Sequence, residues 1–228
     1  MPAPPGRPVS AGRLADELGE SLPAASSIPP ESFALVQAVR DVIDAVVMTD
    51  VDAEVRAAAA RQLAEISETL RRRRRDEPLL LVRHPDGRLE SMLQAASGPL
   101  NPQALPIEWV VRPKEPPPGT APSPAEVRAR CTFRDSHAGS PRRVYGGIVA
   151  LALDEVLGVA AHAGGASGMT VSLTVSLRAA TPLDVPVEIV GRYTHSVGRK
   201  SFASGEVVVD GSVSAEATAI YVRERAHG

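Results

Sequence analysis

The longest apolar stretch of the chain is residues 148–161, in which Asp154 and Glu155 are the only charged residues. A helix that is apolar on nearly every side is buried over most of its surface, and this stretch is too short to span a membrane. The pattern therefore predicts a core helix. Counted in helical steps, Asp154 shares one face with residues that are mostly small, namely Gly147, Ala150, Leu151 and Gly158.

Strict alternation of apolar and polar residues predicts strands on both sides of this helix. One strand precedes it at residues 125–134, and the clearest strand after it runs from Met169 to Leu177 with one apolar face. Three further strands follow, at 185–195, 201–209 and 212–223. Asp210-Gly211 between the last two is typical of a hairpin turn. One strand, a buried helix and four antiparallel strands predict an α+β fold.

In the first half of the chain the apolar residues recur at helical spacing and do not alternate with polar ones. Pro30 marks the start of a helix that Thr49 or Asp50 ends, and Asp52 can cap a second helix over residues 53–74. These elements predict a helical hairpin whose apolar stripes require a partner surface.

Changes in composition divide the chain into three parts. Residues 1–112 form an N-terminal extension with a Pro-rich, disordered start at 1–8. Residues 113–124 form a Pro-rich linker, and residues 125–225 form the main domain. Weaker patterns within the extension indicate a short helix at 9–22, a strand at 79–82 and a turn at 85–87.

Charge and cysteine content narrow the class of protein. The 228 residues carry a net charge of −2, which argues against a dedicated nucleic-acid binder. The basic run 71–75 is either a phosphate or nucleic-acid patch or a solvated helix C-terminus, where cations are favourable. The absence of interleaved aromatic residues favours the second. Cys131 is the only cysteine and the N-terminus has no signal-peptide pattern, so we expect a cytoplasmic protein.

The sequence contains neither ligand residues at the spacing of a metal site nor the nucleophile motif of a serine hydrolase. Its histidines are scattered, with His137, His162 and His195 far from one another. The Gly-x-Ser-x-Gly turn of serine hydrolases is missing. We therefore expect a site without a metal.

Two features of the core helix indicate a possible catalytic site. The turn Gly146-Gly147 precedes the helix, so its backbone N–H groups lie at the positive end of the helix dipole. Asp154 is a carboxylate on an apolar helix, which is costly without a partner or a role. Together they suit acyl transfer. The alternatives are that Asp154 points to solvent and that the glycines serve packing. Glu155 is the rival acid, although the glycine-flanked face favours Asp154.

Residues 144–223 resemble hotdog-fold thioesterases of the phenylacetic-acid-degradation and mammalian thioesterase-superfamily-member-4 type. That family has His-Gly-Gly, an acid nine residues after the histidine, a Met-Thr strand, a Pro-Leu turn and Gly-Arg-Lys. The same pieces occur here in the same order, as Tyr145-Gly146-Gly147, Asp154, Met169-Thr170, Pro182-Leu183 and Gly198-Arg199-Lys200. A looser similarity includes Gly98–Pro102, which matches a Gly-x-x-Asn-Pro stretch. Several pieces in order are more specific than any single motif.

The resemblance implies a hotdog fold, an antiparallel sheet wrapped round one long helix, with the site between two subunits of a homodimer or homotetramer. It implies that Asp154 acts as base or nucleophile and that Gly146 or Gly147 stabilises the oxyanion. Tyr145 replaces the family's histidine, and we expect it to modify rate or acyl specificity.

The resemblance assigns roles to three further residues. Thr170 corresponds to a residue from the partner subunit that positions the attacking water or the acid, or it is an ordinary strand threonine. Its parity places it opposite the apolar row of its strand. Arg199 and Lys200 either bind the phosphates of coenzyme A or belong to a solvated turn.

The implied activity is hydrolysis of an acyl-CoA thioester to free acid and CoA, with no cofactor besides the CoA of the substrate. The alternative is a module that binds an acyl-CoA or acyl carrier without hydrolysing it, and Tyr145 is its sequence feature. A third hypothesis is a scaffolding role for the N-terminal helices.

Overall fold

The computed structural model describes residues 22–76, 80–111 and 120–223 of the chain. In chain order its elements are α1 (Pro30–Met48), α2 (Ala53–Arg71), β1 (Leu81–Arg83), β2 (Leu89–Ser91), β3 (Ile107–Val111), β4 (Ala125–Thr132), β5 (Ala138–Ser140), β6 (Arg143–Val144), α3 (Gly146–Ala163), β7 (Met169–Leu177), β8 (Pro186–Val197), β9 (Lys200–Val209) and β10 (Ser212–Val222). The predicted disordered start, nearly all of the helix at 9–22 and most of the linker lie outside the described residues.

Helix α3 is the predicted core helix, extended by two residues at each end. It packs against β4, β7, β8, β9 and β10. Its buried side chains are all aliphatic: Val149, Ala152, Leu153, Val156, Leu157, Ala160 and Ala161. At this length its composition would also suit a membrane span, and 39% of the span is buried inside the fold. The buried side of the helix packs on the sheet and belongs to the core.

One antiparallel sheet of six strands covers α3, in the order β3-β4-β8-β9-β10-β7. The predicted strands on both sides of the helix are confirmed, and Asp210 and Gly211 form the hairpin turn with positive φ angles of 48° and 78°. Strand β3 was not predicted. It precedes the predicted linker but pairs with β4, so the sheet includes residues of the predicted extension. The fold is α+β, with the central helix and sheet of a hotdog.

The contact between α3 and the centre of the sheet depends on two paired glycines, Gly191 in β8 and Gly205 in β9. A Cβ atom on Gly191 would lie 2.7 Å from the carbonyl oxygen of Val156 in α3. A Cβ atom on Gly205 would lie 2.9 Å from Cδ2 of Leu157. The missing side chains therefore let the helix backbone approach the sheet closely.

The outer face of the sheet is polar, as the alternation in β4 predicts. Arg128 donates to Glu188 at 2.8 Å, and Arg192 donates to Glu126 at 2.8 Å and to Glu206 at 3.0 Å. Hydrogen bonds from Arg128 and then from Arg192 lower the pKa of Glu126. Exposed ion pairs of this kind contribute little stability each.

Strand β7 contains a bulge that changes the face on which Thr170 lies. Thr170 pairs with Tyr221 and Ser172 pairs with Ile220, which leaves Val171 without a partner in β10. Because the extra residue reverses the alternation, Thr170 lies on the same face as Leu173, towards α3. The prediction that Thr170 lies opposite the apolar row was wrong, since a bulge is invisible in the period of the sequence.

The two helices predicted after residue 29 are present as α1 and α2. The side chain of Asp52 caps α2 by accepting from the N–H of Val55 at 2.9 Å. Helix α1 is attached to the domain, since Arg134 donates to Asp44 at 2.9 Å. The loop after β2 is attached as well, and its Leu105 belongs to the main core. Helix α2 has no buried residue, so the prediction that the extension packs on the domain is confirmed for α1 and this loop only.

We expect Gly191→Ala to destabilise the fold by about 1–3 kcal/mol, because the added Cβ overpacks against the backbone of α3. The measurement is the free energy of unfolding in denaturant. Gly158→Ala is the matched control, since its Cβ would lie 3.9 Å from its nearest neighbour, the hydroxyl oxygen of Tyr221. Alanine also favours a helix over glycine by about 1 kcal/mol, so this control should be as stable as the wild type or more. Equal stability of Gly191→Ala and wild type would contradict the close-contact interpretation.

Candidate functional site

The N-terminus of α3 presents two unpaired backbone donors. The carbonyl of Tyr145 accepts hydrogen bonds from Ile148 at 2.9 Å and from Val149 at 3.2 Å, and the N–H of Tyr145 donates to His137 at 2.9 Å. The N–H groups of Gly146 and Gly147 lie between these and have no hydrogen-bond partner among the described residues. At the positive end of a helix dipole, two such donors can stabilise an oxyanion.

Tyr145 has the position of the N-cap but does not cap the helix with its side chain. The side chain is 61% exposed, and its Cε1 atom lies 2.8 Å from where a Cβ of Gly147 would be. The ring therefore lies beside the free N–H groups. Gly147 leaves room for the ring, and this is a second reason for glycine there besides access to the backbone.

Asp154 lies halfway along α3 and is only partly buried. Its Oδ1 accepts a hydrogen bond from Oγ1 of Thr170 at 3.1 Å. The contact is within one chain, so Thr170 reaches the acid without a partner subunit, in contrast to the role that the resemblance implied. The bulge at Val171 makes this contact possible, and one oxygen of Asp154 has no hydrogen-bond partner in the described part of the chain.

The neighbouring acid, Glu155, has a different set of contacts. It accepts hydrogen bonds from Nε2 of Gln94 at 2.6 Å and from Oγ of Ser97 at 2.5 Å. Both donors belong to the loop that follows β2. Adjacent residues on a helix point about 100° apart, so one acid faces β7 while the other binds the extension. The sequence analysis favoured Asp154 over Glu155, and the contacts agree with that preference, since Glu155 is occupied by two partners from the extension.

Tyr221 pairs with Thr170 across the sheet, and the sequence analysis did not identify it as a site residue. It is 2% exposed, and its hydroxyl has no hydrogen-bond partner in the described residues. Burial, followed by the charges of Asp154 and Glu155, raises the pKa of Tyr221 above its ordinary value. The sequence does contain a signal for this residue. On the face of β10 that carries the small residues Ala215, Ala217 and Ala219, the next residue is a large tyrosine with a hydroxyl group.

Arg199 and Lys200 lie at the turn between β8 and β9, and both are exposed. The Arg199 side chain donates to the carbonyl of Arg223 at 3.1 Å. Lys200 pairs with Val222, which pairs with Met169 on its other side. The two cations are therefore at the end of the sheet where Thr170 meets Asp154, two strand spacings or roughly 10 Å away.

The two ends of β7 lie beside different parts of α3. Thr170, near the start of β7, contacts Asp154. Leu177, the last residue of β7, lies against Gly146, with its Cδ1 atom 2.7 Å from where a Cβ of that glycine would be. The acid and the free N–H groups are seven residues apart, which is roughly 10 Å along a helix that rises 1.5 Å per residue.

The comparison with known proteins gives matches among solved structures. Neither a protein-family model nor a curated protein matches the chain. A crystal structure described as a thioesterase superfamily protein has 29% identity and a TM-score of 0.69, and the match covers 88% of this chain and 97% of that one. This is more of the chain than residues 107–223 can supply, so the match includes part of the N-terminal extension.

Two less similar structures match a smaller part of the chain. A hypothetical thioesterase protein from Streptococcus pneumoniae TIGR4, solved with coenzyme A, has 17% identity and a TM-score of 0.44, covering 52% of this chain and 91% of that one. A phenylacetic acid degradation-related protein from Ralstonia eutropha JMP134 has 23% identity and a TM-score of 0.39, covering 42% of this chain and 75% of that one.

The matching structure with 29% identity is described as a thioesterase superfamily protein, so the chain has the hotdog fold of the family that the motifs of residues 144–223 resemble.

Proposed function

We propose that this protein hydrolyses an acyl-CoA thioester to the free acid and CoA. The observation that carries the proposal is the half-buried carboxylate of Asp154, oriented by Thr170 at 3.1 Å, in a fold that also leaves two helix N–H groups free at Gly146 and Gly147. A thioesterase needs a base or nucleophile and a stabiliser of the oxyanion. Asp154 is the candidate for the first role, and the N–H groups of Gly146 and Gly147 are the candidates for the second.

Asp154 can act in two ways. As a base it takes a proton from water while the water oxygen bonds to the thioester carbonyl carbon; as a nucleophile its own oxygen forms that bond, and water cleaves the resulting anhydride. In both routes the negative charge develops on the carbonyl oxygen, where backbone N–H groups stabilise it. The C–S bond then breaks, and CoA leaves as a thiolate that takes up a proton.

One chain cannot supply both groups to the same thioester, because Gly147 and Asp154 are roughly 10 Å apart along α3. A second copy of the chain can supply the missing group by pairing with strand β7. This is an edge strand with exposed apolar side chains at Met169, Val171 and Leu177. Antiparallel pairing of two β7 edges places the end beside Gly146 in one copy next to the end beside Asp154 in the other. We therefore infer a homodimer with two shared sites, or a tetramer built from such dimers.

We propose that Arg199 and Lys200 bind the phosphates of the substrate's coenzyme A. They are exposed cations at the same end of the sheet as Asp154, and cationic side chains form strong hydrogen bonds with phosphate. No cofactor beyond the substrate's own CoA is required by this mechanism. We also propose a cytoplasmic location, which rests on the single cysteine of the sequence, Cys131.

A second candidate function is binding of an acyl-CoA or acyl carrier without hydrolysis. The observation that favours it is Tyr145, whose ring lies over Gly147 where the family has histidine. A phenol near neutral pH donates a hydrogen bond but transfers protons poorly. The binding module keeps the same fold and the same cationic turn, so only the rate of hydrolysis separates the two candidates.

We expect Val171→Lys to convert the assembly to monomers and to abolish hydrolysis, because a charge on an edge strand opposes pairing of edges. Val110→Lys is the matched control: Val110 is an exposed valine at the opposite edge strand, β3. It should leave the assembly and the activity unchanged. The measurements are molar mass by light scattering and the rate of acyl-CoA hydrolysis. A wild-type protein that is a stable monomer at micromolar concentration would contradict the shared site.

We expect Asp154→Asn to lower the single-turnover rate of hydrolysis by a factor of about 10² to 10⁴, since the base or nucleophile is removed. Binding of CoA should persist. Glu155→Gln is the matched control, because Glu155 binds Gln94 and Ser97; it should keep the rate and lower the melting temperature slightly. The substrates to screen are short, long and aromatic acyl-CoAs. Equal rates for Asp154→Asn and wild type, with folding confirmed, would exclude this mechanism and favour the binding module.

A further inference from the structure

The hydroxyl of Tyr221 is an unusual feature of the core. It is buried, and no described residue forms a hydrogen bond with it. The other buried tyrosine of the sheet, Tyr193, has its hydroxyl bonded to Ser196 at 2.9 Å. A buried hydroxyl without a partner reduces stability, and phenylalanine would fill the same space without that cost. The fold therefore keeps an unfavourable group where an apolar one would suffice.

The position of this hydroxyl relates it to the proposed site. Tyr221 is the direct partner of Thr170 across the β10–β7 pair, and Thr170 holds Oδ1 of Asp154. The hydroxyl oxygen lies 3.9 Å from where a Cβ of Gly158 would be, one helical turn after Asp154. Among the charged groups around it, Glu155 is already held by Gln94 and Ser97, whereas Asp154 retains a free oxygen.

We propose that Tyr221 is a positioning residue, whose hydroxyl donates a hydrogen bond to the second oxygen of Asp154 when a thioester occupies the site. The inference rests on the proposed function. Burial and the two nearby carboxylates raise the pKa of Tyr221, so the hydroxyl stays protonated and can donate at neutral pH. With Thr170 on one oxygen and Tyr221 on the other, the carboxylate is fixed in one orientation toward the carbonyl carbon.

The test is Tyr221→Phe, with Tyr193→Phe as the matched control. We expect Tyr221→Phe to lower kcat by roughly tenfold to a hundredfold, the scale of a misplaced catalytic group, with KM unchanged. Its melting temperature should equal or exceed that of the wild type, since an unsatisfied polar group is removed. Tyr193→Phe should show the reverse, a lower melting temperature with kcat unchanged.

A double-mutant cycle with Thr170→Val separates positioning from general packing. Two donors that orient one carboxylate should give effects on kcat that are not additive. An unchanged kcat in Tyr221→Phe would overturn the inference, and so would a loss of stability as large as that of Tyr193→Phe. Asp154→Asn is measured alongside: if it abolishes hydrolysis while Tyr221→Phe does not, only the inference about Tyr221 fails.

A separate observation concerns α2, the helix without a buried residue. Its apolar stripe consists of Val55, Ala59, Leu63, Ile66 and Leu70, and the four large side chains are 39% to 50% exposed. Most of the stability of a helix in a protein comes from packing of its apolar face. We therefore expect a partner surface for this stripe.

The charges at the two ends of α2 indicate what that partner is. Asp50, Asp52 and Glu54 are at its N-terminal end, and five arginines at 71–75 are at its C-terminal end. In an antiparallel pair of two such helices, the register that places Val55 opposite Leu70 also places Ala59 opposite Ile66. The same register brings Glu54 beside Arg71, and the acidic end of each copy lies beside the basic end of the other.

We infer that α2 pairs with α2 of a second copy of this chain in antiparallel orientation. The arginine run then serves assembly. Opposite charges at both ends and opposed helix dipoles favour this orientation over the parallel one. The stripe of one helix covers the stripe of the other, as in a short antiparallel coiled coil.

Oxidative cross-linking of single-cysteine variants tests the orientation. The native Cys131 is buried and does not interfere. We expect Leu63→Cys, near the centre of the helix, to cross-link to its own copy, and Val55→Cys, near one end, to cross-link at least tenfold more slowly. Equal rates for the two variants, or no cross-link with Leu63→Cys, would overturn the antiparallel pairing.

Charge reversal tests the register. In the Leu63→Cys background, replacing Arg71, Arg73 and Arg75 with Glu should slow cross-linking, because acidic ends then meet. The same should hold for replacing Asp50 and Glu54 with Arg. A mixture of the two variants should restore mixed cross-linked dimers. A mixture that cross-links no faster than either variant alone would show that the charges do not determine the pairing.

Discussion

The close approach of α3 to the centre of the sheet is the constraint on which the rest of the structure depends. It exists because Gly191 and Gly205 are paired in neighbouring strands and leave no side chains between the sheet and the backbone of α3 at Val156. Once the helix lies there, its two polar features have fixed positions. Asp154 meets Thr170 at one end of β7, and the free N–H groups of Gly146 and Gly147 lie at the other end.

The two adjacent acids on α3 have different hydrogen-bond partners for a geometric reason. Successive residues of a helix point in different directions, so Asp154 faces β7 and Glu155 faces the loop that carries Gln94 and Ser97. The second contact binds the N-terminal extension to the middle of the helix that carries the candidate site. None of the residues of the extension contacts Asp154 among the hydrogen bonds of the described chain.

A second attachment of the extension lies near the N-terminus of α3. Arg134 binds Asp44 of α1, and the carbonyl of His137, three residues further on, accepts from the N–H of Tyr145. A water-sized cavity of about 30 Å³ lies between these groups. Arg40 Nε and Asp44 Oδ1 are buried there without a protein partner in the described residues, which suits a bound water. Desolvation lowers the pKa of His137, and its Nδ1 accepts a hydrogen bond from the N–H of Arg134 at 3.0 Å.

The sequence by itself determined the elements with a regular period: the apolar α3, the alternating strands β4 and β7 to β10, the hairpin at Asp210-Gly211 and the cap at Asp52. Motifs in fixed order also determined the fold family and the candidate residues Asp154, Gly146 and Gly147. The sequence already favoured Asp154 over Glu155, by the small residues on its face and by the spacing of the motif. Only the tertiary structure showed what each acid contacts, because partners in distant segments, such as Thr170 and Gln94, leave no trace in a local pattern. It also decided the face of Thr170, since a one-residue bulge leaves no trace in the alternation, and it revealed Tyr221, whose hydroxyl becomes significant only when β10, β7 and α3 are brought together.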